Sequence, residues 1–130
     1  MLRKLALVAT VATLATTRGA FALGLGEIEL RSALSQPFEA EIDLVSATPG
    51  ELRSASVRLA PVEAFKRAGI LRPAFLSDLK FKIAEENGDA VIRVSSRRPV
   101  NEPFLDFLVE LNWANGRLLR EYTVLLDPPT

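Results

Sequence analysis

Asp106 and Glu110 stand four residues apart in an alternating segment, and a carboxylate pair on one strand face is the best opening this sequence offers for catalysis. Two such groups can serve as general acid and as base or nucleophile across a glycosidic bond. A second acidic series, Glu39, Glu41 and Asp43, alternates with Phe38, Ala40, Ile42 and Leu44. It has the residue types of an acid/base cluster or a cation site. Period two instead sets the three carboxylates on one strand face, about 7 Å apart, where solvated carboxylates ordinarily sit. The same reasoning predicts that Asp106 and Glu110 face solvent, opposite the apolar row Leu105, Phe107, Val109, Leu111 and Trp113. The chain has no histidine and no cysteine, which removes the commonest general base, the commonest metal ligands and the thiol nucleophile. Gly24-Leu25-Gly26 is too short for a dinucleotide fingerprint and opens no helix. No catalytic, metal-binding or cofactor-binding residue is assigned. A binding or scaffolding module is the favoured class, with a carboxylate-based enzyme or a glycan-binding module as alternatives.

The elements that would position these residues are mostly strands. Glu27 to Arg31 and Phe38 to Leu44 alternate, separated by Ser35-Gln36-Pro37. Residues 46–50 read as a loop and Val57 to Leu59 as a short strand. The segment from Pro61 to Gly69 predicts one short helix, with proline in its first turn, glycine at its end, and Val62 and Phe65 facing the core together. Residues 73–76 fit a further turn of helix or an extended segment equally well. Asn87-Gly88 between alternating runs predicts a tight hairpin, because both central residues take positive φ at low cost. Asn115-Gly116 predicts a second. The last arm, to Leu126, has apolar residues on both faces and should be central or covered on both sides. Short strands with one helix in a crossover connection predict a mainly all-β chain, an antiparallel immunoglobulin-like β-sandwich.

Arg3 and Lys4 precede an apolar run from Leu5 to Leu14 and then Ala20-Phe21-Ala22, the order of a secretory signal peptide covering residues 1–22. The run is shorter than the roughly 20 apolar residues of a spanning helix. Cleavage after Ala22 would leave 108 residues, 23–130, enough for one domain with a modest core. Arg3, Lys4 and Arg18 would leave with the leader, so 13 basic residues would face 16 acidic ones, a formal charge of −3. That balance argues against nucleic acid as a partner. Export without cysteine points to a bacterial periplasm.

Leu23-Gly24-Leu25-Gly26 stands directly after the cleavage signal, followed by Ser32-Ala33-Leu34-Ser35-Gln36-Pro37-Phe38 and Glu41-Ile42. Later come Arg98-Pro99-Val100-Asn101-Glu102-Pro103-Phe104, then Val109-Glu110-Leu111-Asn112-Trp113, and the run from Gly116 to Pro129. Together these resemble the N-terminal periplasmic domain of the FimV family of type IV pilus assembly and cell-pole hub proteins. The resemblance implies an inner-membrane protein of Gram-negative bacteria whose periplasmic part supports assembly of the outer-membrane secretin used in twitching motility. In that family peptidoglycan is held by a LysM module, which is not among these residues, and a membrane helix and acidic cytoplasmic repeats come after it. The expected partner is a periplasmic or outer-membrane protein of the pilus machinery. The chain is expected to be a fragment or a short reading frame that keeps only the interaction domain.

Packing explains most of the shared words and leaves a few polar residues over. Asn101 and Glu102, in a loop between two prolines, come first, then Arg120 and Glu121. Glu29 joins them because the first strand is the expected sheet edge, where unpaired backbone groups can add a partner strand, and proline there would remove a donor. Tyr122 is expected to be half-buried with its hydroxyl bonded to backbone.

Overall fold

The computed structural model describes residues 23–45 and 47–129; the expected signal peptide, residues 1–22, lies outside the described residues. Among the described residues, seven strands form two antiparallel sheets. In the first, β1 (Gly24–Leu30), β2 (Pro37–Val45), β5 (Asp89–Pro99) and β4 (Lys80–Glu86) lie in the order β1-β2-β5-β4. In the second, β3 (Ser56–Leu59), β6 (Phe104–Trp113) and β7 (Gly116–Leu125) lie in the order β3-β6-β7. Alternation sends Phe38, Ala40, Ile42 and Leu44 of β2 inward against Leu105, Phe107, Val109 and Leu111 of β6, all of them buried. Phe107 is the hinge of this core. Its ring meets Phe38 edge-on at 6.3 Å, Phe81 at 6.5 Å and Tyr122 at 6.1 Å, joining both sheets. The predicted immunoglobulin-like sandwich is the observed architecture.

The expected helix forms as Val62–Ala68, closed by Gly69 in the left-handed conformation at φ 73°, where its N–H and that of Ile70 return to Lys66 and Phe65 carbonyls. Phe65 is buried as expected but Val62 is exposed. With Pro61 as the N-cap, Val62 opens the helix and points away from the sandwich, and Ala64 takes the inward place. A shorter helix, α1 (Pro49–Ser54), replaces the end of the expected loop, so the helix at 62–68 is α2. Thr48 and Glu51 close a capping box, Thr48 Oγ1 accepting from the Glu51 N–H at 3.2 Å and Glu51 Oε1 from the Thr48 N–H at 3.1 Å. A 3₁₀ helix, Ala74–Asp78, resolves the ambiguous segment before β4.

The β4–β5 hairpin turns at Asn87 and Gly88, with φ 53° and 86°, as predicted. The β6–β7 hairpin turns one residue earlier than predicted. Trp113 pairs with Gly116, so Ala114 and Asn115 form the tip, and Gly116 is a strand residue without positive φ. The shift pairs Phe107 with Tyr122 and sets the Trp113 indole in van der Waals range of where a Gly116 Cβ would stand. Trp113 is partly buried against the core.

Two further expectations fail for one reason: the outer face of the three-stranded sheet is not a simple solvated face. β7 is an edge strand, and its outward Leu119 and Leu125 are exposed where covering was expected. Glu110, expected in solvent, is only 2% exposed. It lies outward on the central strand, paired across from Arg58 of β3 and Leu119 of β7, and Arg58 bridges its carboxylate at 2.8 Å.

Candidate functional site

The outer face of the four-stranded sheet carries charges that neutralise one another. Arg31 bridges Glu29 at 2.8 Å and Glu41 at 2.9 Å, and Arg93 bridges Glu86 at 2.7 Å. A hydrogen bond with Glu86 and partial burial hold the Glu41 carboxyl above its ordinary range, while Arg93 and Glu41 hold Glu86 below it. Such exposed pairs are worth about 0 to 1 kcal/mol each and define no site. Glu29 belongs to this network.

β1 forms a sheet edge, as expected, with a register shift between Leu25 and Ile28. The Leu25 and Gly26 carbonyls there are taken by β7: Arg120 Nη1 donates to them at 2.7 and 2.9 Å, and the Tyr122 hydroxyl donates to Gly26 at 2.7 Å. The Arg120 guanidinium also lies 4.9 Å from the Tyr122 ring centre. Burial pushes the Tyr122 hydroxyl up to about 12. Arg120 therefore latches the two sheets across their shared border. Further along, the Arg31 N–H donates to the Glu39 carbonyl at 2.8 Å. Hydrogen-bonded pairs recur every second residue, so Glu29, opposite Glu41, turns its own N–H toward β2. The outward groups of this edge belong to Ile28 and Leu30, so proline at position 29 would break the ladder, contrary to the sequence expectation.

Exposed apolar side chains gather elsewhere, between the segment after α2 and the start of β6. Gly69 turns the chain out of α2, and Arg72 pins the segment that leaves it, its guanidinium 5.4 Å over the Phe65 ring and its Nε donating to the Ala60 carbonyl at 3.4 Å. Leu76 anchors the 3₁₀ helix in the core. Asp78 fastens its end by accepting the Arg97 and Arg98 N–H groups, both at 3.1 Å, and those bonds, Arg98 first, hold its carboxyl below the ordinary range. With its anchors turned inward, the segment leaves Leu71 87% exposed. Opposite, Val100 is buried and bonds backbone to backbone with Ser35 and Gln36, while Asn101 and Glu102 protrude. Phe104 then opens β6 and is 53% exposed, paired with Leu125 at 66%.

Two grooves result, sharing Phe75 and Glu102. One, of about 480 Å³, has an apolar floor including Ile70, Leu71, Phe75 and Phe104, with Glu102 and Asp106 on its rim. The other, of about 380 Å³, runs beside Asn101, Pro99 and Arg98. Asp106 accepts from Thr123 Oγ1 at 3.4 Å, and its hydrogen bond with Glu121 pushes the Glu121 carboxyl above the ordinary range. Glu102, Asp106 and Glu121 thus line one side of the surface, and none of the six ion pairs among the described residues involves them.

Of the sequence-predicted residues, Asn101 and Glu102 lie at the grooves, and Glu121 joins them through Asp106. Arg120 and Glu29 lie away from them, on the sheet border and the opposite sheet. Leu71, Phe75 and Phe104 escaped the sequence reading; the signal for the first two was Ile70, Leu71, Phe75 and Leu76, large apolar residues set around Arg72 and Pro73 with neither helical nor strand period. The carboxylates Asp106 and Glu110, matched in sequence, have parted. Burial alone would raise the Glu110 carboxyl, but bonds from Asn112 at 2.7 Å and Arg58 at 2.8 Å outweigh it and hold it below its ordinary value. No group of three or more acidic, histidine or cysteine side chains is placed to hold a metal ion among the described residues.

Residues 23–129 match the model of the FimV N-terminal domain, an Ig-like domain. The chain is 52% identical over 131 residues to the motility hub protein FimV of Pseudomonas aeruginosa strain PAO1, and equally to that of strain UCBPP-PA14. Each match covers 98% of this chain and 14% of the relative. No solved structure matches the chain.

Proposed function

The chain belongs to the family of FimV N-terminal Ig-like domains, and from that premise we propose that it is a non-catalytic interaction module of a motility hub protein, working in the periplasm. Identity of 52% across 98% of the chain carries this reading, because it spans every strand of the sandwich. The chain spans 14% of the relatives' length, so the hub's wider activity belongs to the proposal. The module docks on a periplasmic or outer-membrane protein of the type IV pilus machinery, the secretin first, and thereby supports pilus assembly and twitching. Exposed apolar residues beside an unpaired acidic rim, on a scaffold locked by Phe107 and the Arg120 latch, support docking. A glycan partner is less well served, because Tyr122 is buried and Trp113 packs on Gly116. Among the described residues no helix is long and apolar enough to cross a membrane.

The reading is tested by deleting residues 23–129 from the full-length hub protein, with the remainder shown to be expressed and localised. Loss of secretin multimers and of twitching is the expected result. Both unchanged would overturn it.

A further inference from the structure

The groove between Leu71 and Phe104 combines two properties that are rarely left unused together. Its floor is apolar and open, with Leu71 87% and Phe104 53% exposed, which solvent penalises unless a partner covers it. Its rim carries Glu102 and Asp106, with no lysine or arginine among the lining residues, and Glu121 stands just beyond it beside Asp106. Arg72, the cation of the same segment, is turned inward onto Phe65 and Ala60. On the opposite sheet, by contrast, carboxylates face arginines of this chain. We propose that this groove takes a short segment of another protein in which a large aliphatic or aromatic side chain is flanked by lysine or arginine. The apolar residue would cover Phe104 and Leu71, and the cations would reach the three carboxylates. A volume of about 480 Å³ suits one or two large side chains.

Charge also argues against the other occupants. Two copies meeting groove to groove would bring like rims together, which costs affinity in an isologous contact. An anionic lipid surface would be repelled in the same way. The inference rests on the interaction-module reading and supplies the partner's chemistry.

The test is selection of a random peptide library, displayed on phage, against the purified protein. Enriched peptides are expected to pair a large apolar residue with lysine or arginine within two positions. Their affinity should fall at least about fivefold in Glu102→Lys/Glu121→Lys, changes at exposed positions that leave the floor intact, and should weaken with salt. Leu71→Ser/Phe104→Ser, with its fold checked by circular dichroism, should abolish binding. Enrichment of acidic or uncharged peptides, no enrichment, or undiminished binding to both variants would overturn the proposal. So would a dimer of the parent protein that Phe104→Ser dissolves, which would make the occupant a second copy. If domain deletion impairs twitching while the selection fails, the groove falls and the module stands. If deletion leaves twitching intact, the reading beneath both falls.

Discussion

Asp106 and Glu110 share one face of β6 and meet different surroundings, and the difference is made by what stands across from each. Asp106 faces Thr123, with Glu121 beside it, and no arginine or lysine among the described residues bridges it. Glu110 faces Arg58 on β3 and is sealed at 2% exposure. No spacing along β6 distinguishes them, because the deciding residues are 52 positions away in sequence for Arg58 and on another hairpin arm for Leu119. Removing Arg58 would leave Glu110 with Asn112 alone. Breaking a fully buried pair costs about 3–5 kcal/mol. Arg58 is itself 63% exposed, so solvent screening reduces the expected cost of Arg58→Ala to about 1–2 kcal/mol. Because the folded Glu110 pKa is lowered, its stabilisation is present above the ordinary carboxylate pKa and lost as pH falls through the folded value. Denaturant titrations should therefore show a gap between parent and variant at neutral pH that closes as pH falls below the ordinary carboxylate range. Equal stability at neutral pH, or a gap that widens in acid, would contradict this assignment.

Most elements could be read from local pattern, since alternation names the buried face of a strand whatever its neighbours. Phe38 to Leu44 and Leu105 to Leu111 are inward as period two requires. What local pattern lacks is pairing. The two-sided apolarity of β7 read as a central strand, yet β7 is an edge and its outward Leu119 and Leu125 stay exposed. The capping box of α1 was legible in Thr48-Pro49-Gly50-Glu51 and was masked by its turn residues. The two hairpins make the sharpest comparison. Gly88, at φ 86°, sits where any Cβ is strained, so Gly88→Ala should cost about 1–2 kcal/mol. Gly116 lies in a strand, and a Cβ there would meet the Trp113 ring at 3.4 Å, an ordinary contact. Gly116→Ala should be neutral or slightly stabilising, within about 0.5 kcal/mol. Thermal midpoints of both variants check the pair, and an equal drop in each would restore the turn to Asn115-Gly116.

As a whole the molecule is a sandwich whose two outer faces differ in kind. One is charged and internally balanced; the other pairs Glu110 with Arg58 but joins exposed leucine and phenylalanine to Glu102, Asp106 and Glu121, which form no ion pair among the described residues. The polar half of that second surface, Asn101, Glu102 and Glu121, was visible in the sequence as residues that packing leaves over. Its apolar half was not, because Leu71 and Phe75 join it only through the inward anchors Arg72, Leu76 and Asp78. The central claim, that this domain works by docking on another protein, is tested most directly inside the cell. A photo-activated cross-linking amino acid would be placed singly at Leu71, Asn101 or Glu29 of the full-length hub protein, each exposed in the fold. Illumination of twitching cells should give a discrete adduct with a periplasmic or outer-membrane protein from the Leu71 or Asn101 position. A folded, exported protein that yields no adduct from any of the three positions would contradict the account.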